Sequence, residues 1–226
     1  MAKKTLQQTA YDIIKSRIIS CEYQPGSFLN TLELQDKLGV SRTPIREALA
    51  RLEQENLVNF YPNKGFFVTN ISLVMISAIY ETRILIEPHI VVNYGGLVDK
   101  AGLEHMGAVF HQGLNEDSPS EKEYMVRDDE FHALLRSACP NIYLVQSLDQ
   151  IAAQAQRVRI ISGYAGVKLK KLCQEHLDIV EAILDNKLPA AGKLMTSHLI
   201  RARKNAFLGA GRTGSAGRTG NSIGAW

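Results

Sequence analysis

Residues 30–49 read NTLELQDKLGVSRTPIREAL. Asn30, with Glu33 three positions later, is the capping pair that opens a helix. That helix runs to about Leu38 and stops at Gly39, because glycine takes the left-handed backbone that ends helices. Ser41 or Thr43 can cap the next helix. Under either choice Pro44 falls in the first turn, where a missing N–H costs nothing. Ala48, Leu49 and Leu52 give this helix an apolar face. Two helices joined by a turn as short as Gly39-Val40 form the helix-turn-helix pattern. Upstream, Ala10, Ile13, Ile14 and Ile18 lie at helical spacing, and Pro25-Gly26 breaks the chain. Downstream, Asn56 closes the third helix. LVNFY, PNKG and FFVTN (57–70) then read as two apolar runs around a Pro/Asn/Gly turn, a β-hairpin. Helix, helix, turn, helix, hairpin is the order of a winged helix-turn-helix.

Past Thr69–Ser72 the pattern changes to long helical periods. Helices are expected at about 72–94, 100–114, 119–139, 142–162, 167–187 and 189–207. The breaks fall at Gly95-Gly96, Ser118-Pro119, Pro140-Asn141, Gly163–Gly166 and Leu188-Pro189. Six antiparallel helices of this length form a bundle large enough for an internal pocket. After Leu208 the chain reads GAGRTGSAGRTGNSIGAW, with no core-forming pattern and GRTG twice. The expected organisation is therefore a winged head at 1–70, an all-helical domain for effector binding and dimerisation at 71–208, and a flexible Gly-rich tail at 209–226. The fold class is mainly α.

The remaining global features narrow the class. With 226 residues, one large domain or two small ones fit. A charged fraction of 22% against 45% hydrophobic excludes a disordered chain. Cys21, Cys139 and Cys173 are too sparse for a disulfide scaffold, so a reducing cytoplasm is the expected compartment. The start, MAKKTLQQTAYDIIKS, lacks the apolar run of a secretory signal. The most apolar stretch, 71–92, is interrupted by Glu81, Arg83, Glu87 and Pro88, which argues against a membrane span. Residues 1–70 and 209–226 each carry an excess of two basic groups, while 71–208 carries one extra acid. A basic head joined to a neutral domain suits a nucleic-acid module with a second unit behind it.

Four groups of residues carry chemistry. Arg42 and Arg46 are four apart at the start of the third helix, where an arginine can fork onto guanine O6 and N7. Thr43 can contact phosphate or a thymine methyl. The competing reading is an exposed helix salt-bridged through Glu47. At the hairpin tip, Gly65 allows close backbone approach to a groove and Lys64 attracts phosphate, although an ordinary turn needs the glycine just as much. In the bundle, Asp128 and His132 share a helical face. His176 and His198 lie about 11 residues on either side of Lys187, so antiparallel helices set them side by side. One carboxylate and three imidazoles suit a divalent metal, zinc before nickel, manganese or iron; separately satisfied polar residues are the alternative. Arg83 stands alone as a basic group in its apolar helix. Facing inward it needs an anion, either Glu87 four residues on or a ligand carboxylate.

SRTPIREAL, PNKGFFV, ETRILIE, DDEFH, EHLDIVEAILDNKLPAA and LMTSHL occur in this order, and with them the chain resembles the GntR family of bacterial transcription regulators. It looks most like the FadR-type branch with a C-terminal FCD domain, in the short six-helix form of the VanR-like group. The resemblance covers about residues 10–207. It implies a dimeric repressor or activator that binds a palindromic operator on double-stranded DNA and responds to a small organic acid. Arg42, Thr43 and Arg46 would then touch DNA, with Gly65 at the wing tip. Asp128, His132, His176 and His198 would hold the metal. Arg83 would grip the effector carboxylate, with Asn141 near the pocket. Two positions depart from the family pattern. Leu32 stands where an arginine would add a DNA contact. Arg136 stands where an apolar residue is common, and either faces the pocket as a second basic group or snorkels to solvent.

Two other functions compete. A metalloenzyme would use the bundle as its catalytic domain, but no general base accompanies the metal-type residues in the manner of the glutamate in His-Glu-x-x-His. An architectural DNA binder would have a solid, metal-free core.

Overall fold

The computed structural model describes residues 5–116, 120–163 and 169–216. The chain divides into two compact units, Met1–Ser72 and Leu73–Trp226.

The first unit contains α1 (Leu6–Ile19), β1 (Phe28–Leu29), α2 (Thr31–Leu38), α3 (Arg42–Gln54), β2 (Val58–Tyr61) and β3 (Gly65–Val68). The Asn30 side chain accepts from the N–H groups of Leu32 and Glu33, and Gly39 ends α2 with φ 64°. Ser41 holds the cap position of α3, although its hydroxyl makes no capping bond. The hairpin turn has Pro62 second and Asn63 third at φ 63°, and the Lys64 N–H donates to the Tyr61 carbonyl, as in a type II turn. The sheet is antiparallel in the order β1-β3-β2, with Val58 opposite Val68 and Phe60 opposite Phe66. Strand β1 was not expected from the sequence, because two residues set no alternating pattern. Ile14, Ile18, Ile45, Ala48, Leu49, Leu52, Leu57 and Val58 are fully or almost fully buried and form the core of this unit.

The second unit contains α4 (Leu73–Tyr94), α5 (Lys100–Asn115), α6 (Glu121–Ser137), α7 (Ile142–Ser162), α8 (Leu169–Leu184) and α9 (Leu188–Ala216), with one 3-10 turn at Gly95–Leu97. Helix α9 packs along α4 and also meets α7 and α8, while α5 packs on α8 and α6. Helix α8 stops at Leu184, three residues before the expected end. Asn186 takes φ 56° there, the Lys187 N–H returns to the Ala182 carbonyl, and Pro189 sits in the first turn of α9. The segment expected to be flexible from 209 is helical through Ala216. Gly209 is buried against the backbone of Ser162, an approach that a side chain would block. The rest of that tail lies outside the described residues, as does the expected break at Ser118-Pro119. Of the Gly163–Gly166 break, only Gly163 is described, ending α7 with φ 56°. Among the described residues, no helix is long and apolar enough to cross a membrane.

At Gly192, α9 comes close to α4. A Cβ there would collide with a methyl of Val92 and stand 3.4 Å from the Pro88 carbonyl oxygen. Val92 is β-branched on a helix and has one strongly preferred rotamer, so it cannot swing aside. In an exposed helix Gly→Ala stabilises by about 1 kcal/mol. Here Gly192→Ala is expected to destabilise by about 1–3 kcal/mol, lowering the thermal midpoint by several degrees in calorimetry.

Candidate functional site

Helix α3 turns Ile45, Ala48, Leu49 and Leu52 into the core, and so presents Arg42, Thr43 and Arg46 outward. Among the described residues, neither arginine has an ion pair or hydrogen bond, and Glu47 does not bind them. Two unsatisfied guanidinium groups near a helix N-terminus form a surface suited to phosphate and guanine edges. Lys64 is exposed at the hairpin turn. Gly65 follows at φ 95°, and a Cβ there would lie 2.9 Å from the Phe28 ring. Its glycine is therefore required by the packing of the wing itself.

In the bundle, Asp128, His132, His176 and His198 come together, all buried. One ligand atom from each lies within 4.8 Å of those of the others. Helix α6 supplies the first two, four residues apart on one face, α8 the third and α9 the fourth. Hydrogen bonds hold His176 and His198 from behind through Nδ1, and His132 Nδ1 stands close to a carboxylate without the geometry of a hydrogen bond. His132 Nδ1 lies 2.6 Å from Glu87 Oε2, His176 Nδ1 lies 3.0 Å from the Tyr124 hydroxyl, and His198 Nδ1 lies 3.1 Å from Glu175 Oε2. This leaves Nε2 of His176 at 3.4 Å and Nε2 of His132 at 3.8 Å from Asp128 Oδ1, both buried and without a hydrogen-bond partner. Buried polar nitrogens are normally paired. Three such imidazoles, two of them oriented by outer hydrogen bonds, converging on a carboxylate, fit a divalent cation and the arrangement that metal-ligating histidines adopt. Phe110 stacks on the His176 ring at 4.7 Å and Phe131 meets it edge-on at 4.9 Å, which keeps the ring dry.

The electrostatics agree. Burial, reinforced by His198, pushes the His176 imidazole well below its ordinary value, and burial also lowers His198 against the pull of Glu175. Both rings are therefore neutral at pH 7, the form that binds metal. Burial opposes ionisation of Asp128, but the Arg159 guanidinium overcomes it and holds the carboxyl below the usual range.

Arg83 is buried and donates from Nε to Glu87 Oε1 at 2.6 Å. Burial disfavours both charges, yet each partner keeps the other ionised. Glu87 thus serves Arg83 with one oxygen and His132 with the other. Arg83 also lines a cavity of about 40 Å³, with Tyr80, Tyr124, Asp128, Arg159, Ser162, Leu172, His198 and Asn205 among its walls. Polar groups and open space at one wall are what a small ligand head group needs. The other two expected effector residues are elsewhere. Asn141 is exposed and its side chain is committed to capping α7, accepting from the N–H groups of Tyr143 and Leu144. Arg136 pairs with Asp149 at 3.0 Å and borders a smaller hollow with Glu87, Ile90 and His132.

Sequence reasoning named Glu87 as a partner for Arg83 but missed its contact with His132, and missed Tyr124, Glu175 and Arg159, which reaches Asp128 and Asp129 from α7. Glu175 directly precedes His176 and points to a different histidine, His198, a contact that no spacing rule within one helix reveals. Tyr124 carried a usable signal: it stands four residues before Asp128, on the same face of α6.

Residues 78–201 match the FCD domain and residues 6–68 match the bacterial regulatory proteins of the gntR family. The HTH-type transcriptional repressor RspR of Escherichia coli is 26% identical over 195 residues, 86% of each chain. The Nta operon transcriptional regulator of Aminobacter aminovorans is 28% identical over 185 residues, covering 80% of this chain and 85% of that protein. A GntR regulator from Rhodococcus sp. RHA1 shares the fold with a TM-score of 0.75 at 20% identity, over 89% of this chain and 97% of that one. These relatives are named as regulators of transcription, not as enzymes.

The Arg83–Glu87 pair is testable by stability alone. Breaking a buried pair leaves an uncompensated charge, which costs about 3–5 kcal/mol. Glu87→Leu is expected to lose that much in denaturant unfolding, and Arg83→Met with Glu87→Leu to recover the part due to the stranded guanidinium, the rest staying with His132, which has lost its carboxylate.

Proposed function

The chain belongs to the GntR family of bacterial regulatory proteins and carries an FCD domain, and from this premise we propose that a small carboxylate, bound beside a metal in the second unit, controls its hold on an operator. The protein is a DNA-binding transcription regulator. The finer reading rests above all on the convergence of four buried metal-type ligands beside a cavity that Arg83 also lines. Asp128, His132, His176 and His198 would hold the cation, zinc before nickel, manganese or iron. Bound there, it supplies a Lewis-acidic point for a carboxylate oxygen.

Arg83 presents its guanidinium to the same acid. Glu87 takes its Nε, so the terminal nitrogens remain for a carboxylate fork. A ligand shifts an equilibrium only by binding one arrangement better, so the acid acts by favouring a bundle conformation with a different affinity for DNA. On the DNA side, Arg42, Thr43 and Arg46 enter the major groove and Lys64-Gly65 reaches the adjacent backbone or minor groove. One recognition helix reads few base pairs, so a homodimer on a palindromic operator is the working assembly. The regulator acts in the cytoplasm, and the name of RspR favours repression.

Arg46→Ala is expected to cost about 1–3 kcal/mol on the cognate operator while leaving the thermal midpoint unchanged, measured by fluorescence anisotropy. Unchanged operator affinity in both Arg46→Ala and Arg42→Ala would overturn the DNA surface. For the metal, elemental analysis is expected to find about one ion per chain, lost in His176→Ala. Glu175→Gln should weaken metal affinity about 10–100-fold, because it loosens His198 without removing a ligand. Full metal content in His176→Ala would remove that residue from the centre.

A further inference from the structure

Tyr80 and Asn205 belong neither to the metal-type cluster nor to the Arg83–Glu87 pair. Both line the cavity with Arg83, Arg159, Asp128 and His198. Tyr80 is only 2% exposed. Among the described residues, its hydroxyl makes no hydrogen bond and neither does the Asn205 amide. Both polar groups open to the cavity, and a cavity wall is where a ligand can supply the missing partner. Burial raises the Tyr80 phenol above its ordinary value, so it stays protonated and can donate.

Their placement gives the site a length. Asn205 follows His198 by seven residues on α9, two turns along one face, or about 10 Å by helical rise. Ala202 and Ala206 also line the cavity from that helix. Their small side chains leave the space between the metal cluster and Asn205 open. On α4, Tyr80 precedes Arg83 by one turn and lies beneath its guanidinium, 5.6 Å from ring centroid to Cζ.

Charge limits what fills that space. Glu87 matches Arg83 and Asp129 matches Arg159, which leaves Asp128 as the unmatched charge among them. With neutral imidazoles and a divalent cation, the centre carries one net positive charge. One carboxylate neutralises it. A second carboxylate at the far end would lie by a phenol and an amide, with no cation of its own.

We propose that Tyr80 and Asn205 form a specificity subsite that reads an uncharged oxygen, hydroxyl or carbonyl, carried by a monocarboxylate effector a few carbons from its acid group. This rests on the carboxylate reading above and adds the effector's second functional group. A site built to hydrogen-bond a substituent discriminates strongly against the analogue that lacks it, because its own polar groups are then left unpaired.

The test uses the metal-loaded full chain and calorimetric titration with matched acids: butyrate against 3-hydroxybutyrate, 4-hydroxybutyrate and acetoacetate, and hexanoate against 6-hydroxyhexanoate. Acids hydroxylated next to the carboxylate are left out, because that oxygen can chelate the metal by itself. The parent is expected to bind at least one oxygenated acid tenfold or more tighter than its plain counterpart. Tyr80→Phe and Asn205→Ala should each shrink that preference to about threefold or less. Metal content and affinity for the plain acid should stay within about twofold of the parent. No binding of any acid by the metal-loaded parent would overturn the carboxylate reading and this subsite with it. Binding without preference for the oxygenated acids, or a preference that both variants keep, would overturn the subsite alone.

Discussion

A single carboxylate, Glu87, holds the centre of the bundle together. Its two oxygens face a guanidinium on its own helix and an imidazole on α6. All three groups are buried, so none can be satisfied by bulk water. Removing Glu87 strands both of the others in a medium of low dielectric, while removing either of them leaves the carboxylate its second partner. The positions of Arg83 and His132 are therefore coupled, and with them the two ends of the proposed carboxylate site. Glu175 has a similar part on the far side, between His198 and Arg201. The imidazoles are thus oriented by the protein before any ligand arrives, and such preorganisation lowers the ordering cost of binding.

The large features were legible because they repeat or punctuate. Asn30, Gly39 and Pro44 marked helix ends, and the structure uses Asn30 and Gly39 as caps as their chemistry suggests. The four metal-type residues were legible because two share a turn of helix and the other two straddle a tight antiparallel connection. What escaped were interactions that depend on the angle between helices. Arg159 looks like any basic residue of an amphipathic helix until α7 is laid beside α6 and its guanidinium meets Asp128. Asn141 misled for a related reason. An asparagine after a proline serves equally well as a pocket donor or as a helix cap, and the start of α7 had four free N–H groups to satisfy.

The glycines show the same division. Gly39 was readable from the chain, since a left-handed residue was needed there. Gly192 was not, because its reason lies on another helix, where Val92 and the Pro88 carbonyl leave no room for a side chain. Pro88 itself removes one backbone donor inside α4, and the helix still runs unbroken to Tyr94. The close seam between α4 and α9 runs past that proline, so the neighbouring helix supports α4 where its own hydrogen-bond ladder is weakest.

The order of these helices along the chain has a consequence for synthesis. Helix α9 carries His198 and Asn205 and packs on α4, the first helix of its unit. The ribosome makes it after the other five helices of that unit. Domains fold as units, amino-terminal first, so the winged head is complete while the cavity still lacks a wall. A nascent chain, or one cut short before α9, has a finished winged head and a second unit without the helix that carries His198 and Asn205.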